Sequence, residues 1–293
     1  MDNKRKDYRN DTLLAVLAHP DDETFGMGGT LAYYAQQGAK VYLICATRGE
    51  VGEVDPEHMQ GHKTVAEVRE AELRCAAGTL GLKGVYFLDY RDSGMPGSAN
   101  NHHPQALAAA PLEEVAAKIV QIIRTIKPQV VITFDPIGGY HHPDHIAIHK
   151  AAVRAFEEAG DPSWQPPQGE GASLPPYRPQ KLYFHTISRF FLRTAVRFMP
   201  IFGKDPQKWG KNGDIDLKQL AKEEFPAHAV IDFRPVRERK EKAAECHSSQ
   251  GGSRVVSGLM GWVMRMGANR ETFMRAYPPP KDGLREHDLF TGI

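Results

Sequence analysis

Six apolar residues, Leu13 to Ala18 (LLAVLA), run without a polar break into His19-Pro20-Asp21-Asp22-Glu23. An apolar run with no internal alternation reads as a strand buried on both faces, and Thr12 to Ala18 is assigned to one. Four ionisable side chains within five residues, placed where a buried strand ends, need a reason. A divalent metal supplies one: His19 and Asp22 bind it, and Asp21 beside them moves a proton.

The residues that follow repeat the strand-to-loop transition. Gly26 to Gly38 has helical spacing of Met27, Leu31, Tyr34 and Ala35, with Gly38 as a C-cap, and KVYLICA (40–46) is a second strand. A polar loop (47–62), a helix from Lys63 to Leu80 ended by Gly81, a short strand Val85 to Leu88 and a long Gly/Asn/His/Pro-rich loop come next. Pro111 to Lys127 is an amphipathic helix with Leu112, Val115, Ala116, Ile119, Ile122, Ile123 and Ile126 on its apolar side. Gln129 to Phe134 is a strand, and Ile146 to Ala159 a helix. This β-α alternation predicts an α/β fold, a three-layer sandwich on a mostly parallel sheet with a C-terminal extension. We expect a single domain over 1–293. Residues 12–159 form the site-bearing core, and 160–293 a proline-rich loop and substrate-shaping portion. In the second part, Lys181 to Thr186 and His228 to Phe233 read as strands and Pro235 to Gln250 as a helix. The Met-rich stretch Leu259 to Met266 reads as core or interface. The apolar segment 187–202 is core or a homo-oligomer contact.

Composition narrows the function. With Lys+Arg 37 against Asp+Glu 36, the net charge of +1 gives no bulk attraction to nucleic acid or an anionic membrane. No apolar run approaches the ~18 residues of a membrane span, and LLAVLA is too short for a signal-peptide core. Cys45, Cys75 and Cys246, far apart and odd in number, argue against a disulfide framework and a Cys-type zinc site, so a reducing cytoplasm is the expected setting.

A second cluster completes the metal site. Asp135 to His145 (DPIGGYHHPDH) follows the strand 129–134, as His19 follows the strand 12–18. Sites in open α/β sheets lie outside the carboxyl ends of the strands, so the two segments can meet there. His145 becomes the third ligand. A His₂Asp set leaves positions open, as catalytic sites do, and suits Zn²⁺ with Fe²⁺ as the alternative. Asp21 is left free as general base, and His142 is placed to stabilise an oxyanion as imidazolium, its charge and tautomer held by Asp144. His149 reads as a helix-surface histidine. The glycines of Gly26-Met27-Gly28-Gly29 have the wrong spacing for a dinucleotide fingerprint, which favours a backbone or packing role.

The chain resembles the zinc-dependent N-acetylglucosaminyl deacetylases (PIG-L-like or LmbE-like), which include the mycothiol and bacillithiol precursor deacetylases. The resemblance rests on AHPDDE (18–23), the glycine turn after it, GEVGEV (49–54), RxxEL (69–73), RDSGM (91–95) and GGYHHPDH (138–145). It implies a Rossmann-like fold, His19, Asp22 and His145 as metal ligands, Asp21 as base, and His142 with Asp144 at the oxyanion. It further implies Tyr140 as an aid to the transition state, and Arg69, Asp92 and Glu53 as contacts to sugar hydroxyls. The expected activity is removal of an acetyl group from a small amino-sugar conjugate, with no nucleic-acid partner. Amidase action on a larger sugar-thiol conjugate, or metal-retaining sugar binding without turnover, are the alternatives.

Overall fold

In the computed structural model the described residues are 7–167, 174–187, 189–208, 213, 215–252 and 269–293. The Met-rich stretch 259–266 lies outside them, as does part of the proline-rich loop. In chain order the elements are β1 (Thr12–Leu17), α1 (Asp22–Phe25), α2 (Gly28–Gln36), β2 (Lys40–Cys45), α3 (Val65–Leu80) and β3 (Gly84–Phe87). Then come α4 (Leu112–Ile126), β4 (Val130–Phe134), the kinked turn α5 (Gly138–His141), α6 (Pro143–Glu158) and β5 (Lys181–Thr186). The rest are α7 (Arg189–Phe198), α8 (Leu217–Leu220), β6 (Ala229–Asp232), α9 (Arg237–Cys246) and β7 (Arg270–Tyr277).

The strands form one seven-stranded sheet in the order β3-β2-β1-β4-β5-β7-β6. The first five pair in parallel, and β7 runs antiparallel between β5 and β6. Helices α2, α3 and α9 pack together, as do α4 and α6. This is the expected sandwich, because parallel strands need crossovers and helical crossovers cover both faces. Leu13 to Ala18 are fully buried, as that covering requires.

The order reverses direction at β1, whose neighbours are β2 and β4. The crevice between the carboxyl ends of β1 and β4 is the switch point where α/β sheets bind ligands.

Local chemistry sets the boundaries. Thr64 caps α3 by accepting the Glu67 N–H at 3.2 Å, and Glu67 reaches back to the Lys63 N–H at 2.6 Å. Gly81, at φ +85°, ends the helix. Helix α6 starts at Pro143, earlier than the Ile146 read from periodicity, because His142 caps it with a ring nitrogen and proline fits the first turn.

Strand β7 has no counterpart in the sequence pattern. Two further expectations are corrected. His149 is buried, not on the surface: its Nδ1–H donates to the Phe134 carbonyl at 2.8 Å. Cys75 and Cys246 form a disulfide across 171 residues, because α3 and α9 pack side by side. Sequence spacing does not carry that contact.

In the segment 187–202, Leu192 and Met199 turn inward with Leu217 and Leu220, while Phe198 and Ile201 stay exposed.

The glycine turn has a packing role. Glu271 of β7 accepts the N–H groups of Gly29 at 3.0 Å and Thr30 at 2.6 Å, at the start of α2. A carboxylate of the chain itself occupies the helix terminus that a phosphate takes in dinucleotide folds. A Cβ at Gly29 would lie 2.2 Å from the Phe233 ring.

Candidate metal centre and deacetylase site

The turn after β1 is closed by Asp22, whose Oδ2 accepts the His19 backbone N–H at 2.8 Å. That bond folds the Asp22 carboxylate back beside the His19 ring. Across the crevice, the first turn of α6 carries His145. Its ring stacks on Phe134 at 3.9 Å, and its Nδ1 lies 3.1 Å from the Gly138 carbonyl. A carbonyl only accepts, so Nδ1 carries the proton and Nε2 presents a lone pair. The other ring behaves alike. His19 Nε2 donates to Asp144 Oδ2 at 3.0 Å, leaving a lone pair on Nδ1.

These two lone pairs face each other at 3.1 Å. Asp22 joins them, with Oδ1 3.3 Å from His145 Nε2 and Oδ2 3.6 Å from His19 Nδ1. In their neutral forms the two rings and Asp22 turn three electron-pair donors toward one point, an arrangement that a cation satisfies. Bonds of the Zn–N length would set ligands about 3.3 Å apart on a tetrahedron, so the residues present fit a metal.

His19 also takes part in two other candidate metal groups, with His142 and His145, and with Asp92 and Asp144. The donor chemistry favours the Nδ1 side. Asp144 already receives the Ser93 N–H at 2.9 Å and the Ser93 hydroxyl, besides His19 Nε2–H. With three donors already on it, it orients the ring behind the centre, as carboxylates behind ligand histidines do.

This differs from the pairing expected for Asp144. Its carboxylate serves His19 and Ser93, while His142 receives only its backbone N–H, on Nδ1 at 3.2 Å. Helix α6 begins at Pro143, so the side chain of the next residue turns toward the β1 loop. His142 differs too. Burial, with His19 and His145 close by, pushes it down to about 2, which disfavours the imidazolium form. With Nδ1 accepting, its proton sits on Nε2, and the ring remains a donor.

Asp21 stands beside this cluster in an unusual backbone conformation, φ +114°, ψ −29°. Its Oδ2 accepts Arg69 Nη2 at 3.0 Å. Arg69 is buried and also donates to the carbonyls of Pro20 at 2.6 Å and Gly49 at 3.3 Å. The backbone of Gly49, at φ +67°, comes so close that a Cβ there would fall 2.0 Å from Nη1. Burial raises Asp21 to about 6 against the pull of Arg69. Burial also opposes the Asp22 charge, yet His145 and His19 hold that carboxyl well below its usual range.

The remaining sequence-read residues divide. Tyr140 sits edge-on to His145, ring centroids 5.0 Å apart. Asp92 is buried, with Oδ1 3.6 Å from His19 Nε2 and accepting the Gly94 N–H at 2.8 Å. Arg69 is at the site, but against Asp21. Glu53 is exposed, and its backbone carbonyl accepts Gln250 Nε2 at 3.5 Å. The neighbouring Glu50, not singled out from sequence, accepts the Asp92 N–H at 3.0 Å. Ser93 was missed as well, although it lies inside the quoted RDSGM.

Residues 14–156 match the PIG-L family of GlcNAc-PI de-N-acetylases. A 1D-myo-inositol 2-acetamido-2-deoxy-alpha-D-glucopyranoside deacetylase from Geodermatophilus obscurus is 35% identical over 297 residues, covering 96% of this chain and 97% of its own. Among solved structures, N,N'-diacetylchitobiose deacetylase from Pyrococcus horikoshii aligns with a TM-score of 0.61 at 22% identity, over 92% of this chain and 86% of that one. A 4-carboxy-2-hydroxymuconate hydratase from Pseudomonas putida KT2440 aligns at 0.57 and 21%, over 94% and 99%. A deacetylase and a hydratase thus share this fold, which leaves the reaction to the site. Identity with a curated deacetylase along nearly the whole of both chains goes beyond fold: the chain belongs to the PIG-L family of de-N-acetylases.

Proposed function

We propose that the protein is a zinc-dependent hydrolase that removes the acetyl group from an N-acetylglucosaminide, with glucosaminyl-inositol as the substrate class, giving acetate and a free amine. The observation that carries this reading is the convergence of the His19, Asp22 and His145 lone pairs beside Asp21. The inositol aglycone is drawn from the substrate named for the 35%-identical relative. We treat residues 1–293 as one functional unit, because one sheet draws strands from both halves. Among the described residues, no helix is long and apolar enough to cross a membrane. The cytoplasmic setting belongs to this proposal and has to accommodate the Cys75–Cys246 bond.

His19 Nδ1, Asp22 and His145 Nε2 would hold Zn²⁺, or Fe²⁺. When bound, the metal supplies Lewis-acid polarisation of the amide carbonyl and acidifies water. Asp21 takes the proton from the attacking water and returns it to the leaving amine, which needs a carboxylate held at the site and not spent as a ligand. Arg69 fixes that carboxylate. His142 Nε2–H donates to the oxygen that becomes anionic, with Nδ1 locked by the Asp144 N–H. Asp144 and Ser93 fix the His19 ring. Tyr140 closes the β4 side, where it assists the transition state, while Asp92 and Glu53 serve the sugar hydroxyls in this reading.

The test combines metal analysis with amine release from 1D-myo-inositol 2-acetamido-2-deoxy-alpha-D-glucopyranoside and from N-acetylglucosamine. About one metal per chain and chelator-sensitive release of amine and acetate are expected, faster for the inositol glycoside. A chain that binds no divalent metal, or turnover indifferent to chelation, would sink the reading.

A further inference from the structure

Glu23 ends the His-Pro-Asp-Asp-Glu turn and has no part in the mechanism above, yet it is fully buried. Its Oε2 accepts the Asp21 backbone N–H at 3.0 Å. Its Oε1 accepts the Thr24 hydroxyl and faces His247 Nε2 at 2.8 Å. His247 is fully buried too, and comes from 224 residues further along the chain. We propose that His247, acting through Glu23, is a positioning residue that holds Asp21 in the conformation needed for hydrolysis. The proposal rests on the reading of Asp21 as the base.

Three observations carry it. First, Asp21 has φ +114°, which a non-glycine residue keeps only when its surroundings impose it. The Glu23 carboxylate on its N–H is such a constraint, and Arg69 on its side chain is the other. Second, the other nitrogen of His247, Nδ1, is buried with no partner among the described residues. Buried polar atoms are nearly always paired, so a histidine that serves packing alone would not be expected to leave one orphaned. The Glu23 contact explains the residue. Third, His247 is itself located from both sides. It caps the C-terminal end of α9, directly after Cys246, which is bonded to Cys75 of α3. After it, the Ser249 N–H and hydroxyl donate to the two oxygens of Glu72 on α3, each at 2.7 Å. The brace therefore runs from two helices to the turn that bears the base.

The test compares wild type with His247→Leu and His247→Gln in metal content, kcat, KM and crystal structure. His247→Leu should keep the wild-type metal stoichiometry and a KM within about threefold, while kcat falls about 10- to 100-fold, the scale of a misplaced catalytic group. In its crystal structure Asp21 should leave the positive φ and its contact with Arg69. His247→Gln, whose amide N–H can reach Glu23, should recover most of kcat. If the leucine variant does not fold, His247→Asn, polar but too short to reach Glu23, makes the same comparison. Wild-type kcat in the leucine or asparagine variant, an unmoved Asp21, or a rate loss that only tracks lost metal would overturn the proposal. If wild type cleaves no N-acetylglucosaminide, the base reading fails, and the position of Asp21 in the variant still decides whether His247 holds it.

Discussion

Asp21 and Asp22 are the same residue type in adjacent positions, and the surroundings give them opposite characters. Asp22 lies between His145 and His19, which hold its carboxyl well below the usual range against burial, whereas burial raises Asp21 to about 6. A carboxyl that exchanges its proton near neutrality suits a group that must take one and give it back. Asp21→Asn, equal in size, should therefore keep the metal and lose kcat by about 10²- to 10⁴-fold, read by steady-state kinetics beside elemental analysis. A variant within a few-fold of wild type would remove the base assignment. His145→Ala should do the reverse and lose the metal itself, by elemental analysis after dialysis; retention of a full equivalent would point to the Asp92–Asp144 side of His19. Both His-containing motifs were legible in the sequence because each directly follows a buried strand. Ser93 and Glu50 were not, and of the C-terminal half only His247 to Gln250 resembled the family, without a role. Each of these residues acts through a partner 42 or more positions away, and no local pattern marks such a contact.

Among the elements, those with a clear period were legible and those set by tertiary contacts were not. Strands β1, β2 and β4 read as uninterrupted apolar runs, and α4 as an apolar stripe. Only Leu112, at 41% exposure, departs from that stripe, since it opens the helix at the rim. Strand β7 escaped because Glu271, one of its inward positions along with Phe273, is charged. That residue is buried for the sake of the α2 terminus and Lys240, so the hydrophobic alternation breaks where the strand docks. The α3–α9 disulfide escaped for a related reason: pairing across 171 residues is a property of helix packing. Its stabilising effect is open to measurement. Closing so long a loop restricts the unfolded chain, for a calculated gain of roughly 5 kcal/mol that real proteins often fall short of. Cys75→Ser should lower Tm by about 5–10 °C. The same variant under strong reductant should show no further drop. An unchanged Tm would mean the bond constrains nothing that unfolding releases.

Across the whole molecule, the stretch with the family signature is not self-sufficient. The turn after β1 and the helix after it belong to residues 14–156, but two of their buried partners arrive from the last fifty residues. His247 meets Glu23, and Glu271 meets Gly29 and Thr30. Glu271 holds three donors at once, two backbone N–H groups and Lys240 Nζ at 2.6 Å, while being 6% exposed. Removing a buried carboxylate in that position leaves its donors unpaired, and the loss of one member of a buried charged pair costs about 3–5 kcal/mol. Lys240 keeps 21% side-chain exposure and can turn to water, so the lower end of that range applies. Glu271→Ala should accordingly lower Tm by about 4–6 °C for a chain of this size. The damage should also spread along one route. Helix α2 follows the metal-bearing turn directly, so amide hydrogen exchange in residues 22–36 should quicken more than in α4 or α6 on the opposite face. Uniform acceleration over both faces would mean that Glu271 supports the sheet in general. Acceleration confined to the α2 side would mean that the C-terminal strand serves to hold the site-bearing turn in place.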